Sequence, residues 1–89
     1  MKAKYYTLFE PGEINHIGTV KANTTDELKL KTEEACKCHF DSECDASNVD
    51  FGEVLQQMNK VPYVSFEINI DDGGDNWDKE IGISETWIY

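Results

Sequence analysis

Arginine is absent from this chain of 89 residues, and all eight of its basic residues are lysine. Phosphate contacts rest on Lys and Arg, and guanine edges are read most often by Arg. Eighteen acidic residues outnumber the lysines, for a formal charge of −10. That balance argues against nucleic acid and against anionic membrane surfaces as partners. A field of this sign attracts cations and basic protein surfaces.

Long apolar runs are missing as well. No segment approaches the roughly 20 apolar residues needed to span a bilayer. Lys2 and Lys4 stand among Tyr and Thr with no apolar stretch behind them, so no signal peptide is expected, and a cytoplasmic location follows. The cysteines number three, Cys36, Cys38 and Cys44, which rules out a fully paired disulfide framework within one chain and fits reduced thiols. The histidines are His16 and His39 alone, and no G-x-S-x-G, P-loop or H-E-x-x-H pattern occurs. A nucleophile beside a positioned base has little to be built from, so the chain is expected not to be an enzyme, with no catalytic residues. Paired carboxylates such as Glu33-Glu34 carry no information in so acidic a sequence.

What is present suffices for one core. Hydrophobic residues at 39%, including four Phe, four Tyr and two Trp, separate the chain from disordered sequences. At this length one domain over residues 1–89 is expected, burying about 60–65% of its unfolded surface and stable by about 5 kcal/mol.

The pattern predicts strands over Lys2 to Glu10 and Ile14 to Ala22, joined at Pro11-Gly12. In the second strand, Ile14, His16, Gly18, Val20 and Ala22 share one face, opposite Asn15, Ile17, Thr19 and Lys21, an imperfect alternation. Thr24 followed by Glu27 is a capping box opening a helix from Thr25 to about His39, whose thin stripe is Leu28, Thr32, Ala35 and His39 beside Cys36. Phe40 to Ser47 reads as a polar loop. Ser47 is the expected cap of a second helix carrying Phe51, Val54, Leu55 and Met58. Pro62 precedes a strand in which Val64, Phe66, Ile68 and Ile70 alternate with Ser65, Glu67 and Asn69. Asp71 to Asn76 reads as a turn, and Lys79 to Tyr89 as a last strand bearing Ile81, Ile83, Trp87 and Ile88. The fold class expected is α+β, in the order ββααββ, with a four-stranded antiparallel sheet and two helices on one face.

Charge is unevenly spread. Residues 1–31 hold five Lys against four acids, so the remaining residues carry −11. One acidic run comprises Asp41, Glu43, Asp45, Asp50 and Glu53. A second comprises Glu67, Asp71, Asp72, Asp75, Asp78 and Glu80 and is interrupted only by Lys79. From these, Asp41, Glu43, Asp45, Asp50, Glu53, Asp71, Asp72, Asp75 and Asp78 are the candidate partner-binding surface, with carboxylates standing in for phosphates and steering association. The plainer reading is a solvated face that keeps a small domain soluble.

Cys36, Cys38, His39 and Cys44 supply a Cys₃His zinc ligand set within nine residues. Their spacing is unfavourable on a helix, where Cys36 and His39 share a face and Cys38 does not, so such a site requires the helix to unwind before Cys38. Around Asp71 the calcium-loop register fails: the sixth position is Asn76 where Gly is required, and the twelfth is Gly82 where Glu is required. Trp77, Trp87, Tyr89, Tyr5 and Tyr6 suit either an interface or the rim of a small core. The function expected is a non-enzymatic binding or regulatory module whose acidic surface engages a basic surface of another macromolecule, with nucleic-acid mimicry as its most specific form. The alternative is a small zinc-stabilised domain; otherwise no cofactor is called for.

Overall fold

The computed structural model describes residues 4–13 and 15–86. Within them β1 (Lys4–Glu10) and β2 (Asn15–Ala22) form an antiparallel hairpin. Gly12 takes a φ of 85°, the left-handed conformation that a turn after Pro11 requires. Leu8 pairs with Gly18 while Phe9 pairs with His16, so Ile17 is an extra residue. This β-bulge is the reason the alternation of β2 is imperfect. Lys2 and Ile14, placed in these strands from the sequence, lie outside the described residues.

Helix α1 (Thr25–Phe40) starts as its capping signal predicts: the Glu27 amide donates to Thr24 Oγ1 at 3.1 Å. The Glu27 carboxylate accepts from the backbone amide of Asn23 at 2.6 Å, one residue earlier than in the standard box. Leu28, Thr32 and Cys36 form its buried stripe. Gly18 lies directly under Ala35, and a Cβ on that glycine would stand 4.0 Å from the Ala35 Cβ.

The segment read as a loop contains a further strand, β3 (Glu43–Asp45), which pairs antiparallel with the end of the following strand β4 (Val64–Asp71). The order is therefore ββαβαββ and the sheet has five strands, not four. Three residues show no readable period, and β3 is held by tertiary contacts: Lys37 reaches Glu43 at 3.0 Å, and Glu33 accepts from the Ala46 amide at 2.8 Å. Asp45 Oδ1 then accepts from the Ser47 amide and hydroxyl, bending the chain off the sheet. Ser47 is thus spent on this turn. The cap of α2 (Phe51–Gln57) is Asp50, which accepts from the Glu53 amide.

The last strand, β5 (Asn76–Thr86), begins three residues earlier than its apolar pattern indicates, because the ladder with β4 continues to Asp71 opposite Asn76. Trp87, Ile88 and Tyr89 lie outside the described residues. The sheet order is β2-β1-β5-β4-β3, all antiparallel. α1 links the two edge strands, and its 16 residues span about 24 Å against about 19 Å for five strands side by side. Beneath the helices lie Tyr6, Leu8, Val20, Val64, Ile68, Ile70, Ile81 and Ile83, all buried, and Phe51 of α2 meets Phe66 edge to face at 5.4 Å. The opposite face of the sheet carries no helix among the described residues.

Candidate functional site

Cross-strand partners share a face, so the register of β4 with β5 decides where the acidic side chains go. Ile68 is buried under the helices; its neighbours Glu67 and Asn69 therefore point to the open face. There Glu67 stands opposite Glu80, and Asn69 opposite Asp78. β3 adds Asp45 opposite Asn69 and Glu43 opposite Asp71. Six carboxylates, Glu43, Asp45, Glu67, Asp71, Asp78 and Glu80, thus occupy one half of one face. The two acidic runs, far apart in sequence, adjoin through the β3–β4 pairing.

Lysine neutralises little of this. Among the described residues the lysine ion pairs are Lys4–Glu85, Lys29–Glu33, Lys37–Glu43, and Lys79 with Glu10 and Glu13. Of the face carboxylates only Glu43 is engaged. Lys79 points to the helix side, opposite Ile68, which explains why its place within the second acidic run does not interrupt the surface.

The remaining candidate residues take three other positions. Asp72 and Asp75 form the β4–β5 turn, where Asp72 Oδ1 accepts from the Gly74 and Asp75 amides at 2.9 and 2.8 Å; these bonds hold its carboxyl below the usual range. Asp71 Oδ1 accepts from the Gly73 amide at 2.8 Å, so both carboxylates shape the turn. Asp41 ends α1 in the left-handed region. Asp50 and Glu53 sit at the start of α2 and face Glu67, Asp78 and Glu80 across an open trough of about 480 Å³, which runs between α2 and the edge of β4. Glu67 and Glu80 belong to the second acidic run read from the sequence but not to its candidate partner-binding residues; the β4–β5 register sets them opposite one another on the open face. Their sequence separation carries no sign that they meet.

The other half of the open face differs. Tyr5 pairs with Lys21, whose ammonium lies 5.8 Å from the Tyr5 ring centre, and Thr7 pairs with Thr19 and Ser84. Phe9 lies over Gly82 and meets Tyr63 edge to face at 5.3 Å. Tyr6 is in the core, whereas Tyr63 and Trp77 are exposed.

The cysteine and histidine ligand set is distributed over different environments. α1 runs unbroken through Cys38, which is exposed, while Cys36 is fully buried. Burial, aided by Cys44, Glu10 and Glu33, pushes the Cys36 thiol up to about 12. Cys44, on the helix side of β3, is also raised, first by burial and then by Glu43 and Glu33. His39 is drawn elsewhere: its Nε2–H donates to Glu10 Oε2 at 3.0 Å. Among the described residues, no three His, Cys, Asp or Glu side chains are grouped as a metal ion would need.

Glu10 anchors a polar cluster at the rim of the core. Only 5% exposed, it also accepts from Asn15 at 3.1 Å and pairs with Lys79 at 3.1 Å. Burial raises its carboxyl, but the bonds from His39, Lys79 and Asn15 and the charge of Lys79 outweigh it and bring it down to about 2. Both carboxylate oxygens of Glu10 are used in tying β1, β2, β5 and the end of α1 together. No helix among the described residues is long and apolar enough to cross a membrane. Comparison with family models, with curated proteins and with solved structures found no match.

Proposed function

We propose that this chain is a non-enzymatic binding module whose acidic sheet face engages a basic surface of another macromolecule, its carboxylates taking the place of nucleic-acid phosphates. The observation that carries the reading is the cross-strand pair Glu67 and Glu80, flanked by Asp78 and Asp45, with no lysine partner among the described residues. Like charges placed directly opposite one another destabilise a sheet, so this arrangement opposes folding and favours a cationic partner. A rigid ladder also holds the charges in fixed positions, which lowers the ordering cost of docking. The solvated half-face of an antiparallel sheet would equally be polar, but it would normally mix both signs of charge.

Affinity capture tests the reading, using the native chain beside a Glu67→Gln, Asp78→Asn, Glu80→Gln variant. Basic proteins held by the native chain should elute between about 0.15 and 0.5 M salt as screening shortens. Duplex DNA should compete for them. Partners indifferent to salt, or held equally by the variant, overturn it.

A further inference from the structure

β4 is only partly covered on its outer side. β3 pairs with residues 69–71 alone, and the Asp45–Ser47 turn then takes the chain away towards α2. Among the described residues no strand lies beside Val64–Ile68 on the side away from β5, and no hydrogen bond reaches their backbone from that side. In an antiparallel sheet every second residue of such a stretch directs both its N–H and its C=O into the empty lane. The lane is the trough already described, with Val64, Ser65, Phe66 and Glu67 on one wall and Val54 and Glu53 of α2 on the other.

An unpaired edge is a template for another strand, and its charge decides which strand can use it. Among the described residues, five carboxylates, Asp50, Glu53, Glu67, Asp78 and Glu80, line this trough and no lysine does. A second copy of the chain would bring the same carboxylates against themselves. The geometry points to strand addition: an extended segment of a basic partner, alternating Lys or Arg with β-branched apolar residues, pairs with Val64–Ile68 as a sixth strand. Its basic side chains fall on the open face beside Glu67 and Glu80. Its apolar ones fall on the helix side beside Phe66 and Val54. Five residues of edge accommodate about 17 Å of guest strand. This rests on the acidic-module reading above and specifies how the partner is held.

The test uses two peptides with blocked ends and equal charge: Lys and Val alternating over seven residues, and the same peptide N-methylated at its central Val and at the adjacent Lys, so that an N–H facing β4 is lost whichever of the two points into the lane. The alternating peptide should bind at least tenfold more tightly. Its binding should slow amide exchange at the outward-facing positions within Val64–Ile68, and Glu67→Gln should weaken it severalfold. Equal binding of both peptides without new protection at β4 overturns strand addition while leaving the acidic-module reading standing. Binding of neither overturns both. A chain that sediments as a dimer, with these amides protected before any peptide is added, assigns the edge to self-pairing and overturns the proposal.

Discussion

Glu67 on β4 and Glu80 on β5 are direct cross-strand partners on the open face, and no lysine among the described residues is ion-paired with either. Their repulsion is a cost built into the sheet. Glu80→Thr removes it and supplies a good strand former, so the midpoint of urea unfolding should rise by the equivalent of about 0.2–1 kcal/mol. The gain should shrink in 0.5 M NaCl, where the native pair is screened. A gain unaffected by salt would mean that propensity, and not charge, sets it.

Phe9 and Gly82 are similarly opposed on β1 and β5. A Cβ on Gly82 would overlap the Phe9 ring, so Gly82→Ala must displace the ring from its contact with Tyr63. The cost should be about 1 kcal/mol. In a Phe9→Ala background it should vanish, and a double-mutant cycle measures that coupling.

Glu10 makes stability depend on acid. Its folded value of about 2 lies below its ordinary 4.5, so its contribution is complete above pH 4.5 and is lost as pH falls from there towards 2. Glu10→Gln should cost about 1–3 kcal/mol at pH 7, because His39 and Lys79 lose a buried acceptor. The stabilities of native chain and variant, measured by denaturant titration, should converge as pH falls through that window. A constant gap would place the loss in packing alone.

Thr32 is fully buried in α1, and its hydroxyl has no hydrogen-bond partner among the described residues. Thr32→Val keeps the shape and removes the unsatisfied group, so it should stabilise by about 1 kcal/mol. Thermal unfolding would show this as a raised Tm.

The thiols should separate by accessibility. Exposed Cys38 should be alkylated first, and Cys36, buried and raised to about 12, only on unfolding. Mass spectrometry of peptides after timed alkylation reads the order. Zinc added beforehand should leave it unchanged; joint protection of all three cysteines would favour the zinc-stabilised alternative.

Several elements were legible because their signals are local. Thr24 and Glu27 mark the start of α1 whatever packs against it, and Val64, Phe66, Ile68 and Ile70 state the buried face of β4 by alternation alone. Where signals compete, reading failed by a few residues. Ser47 and Asp50 are both good caps, and which one the helix uses depended on Asp45 claiming Ser47 first. β3 was invisible because three polar residues become a strand only when Asn69, Ile70 and Asp71 are there to pair with.

The acidity, its concentration beyond residue 31, and the division of β4 into an apolar and a polar side all follow from the order of residues along the chain, since each is a property of near neighbours. Long-range pairing set β1 beside β5, brought Glu43 and Asp45 beside Asp71 and Asp78 through β3, and left Val64–Ile68 of β4 without an outer strand among the described residues. Strand order and register are settled by how the apolar sides fit under two helices. Charges on the open side go wherever that fit carries them.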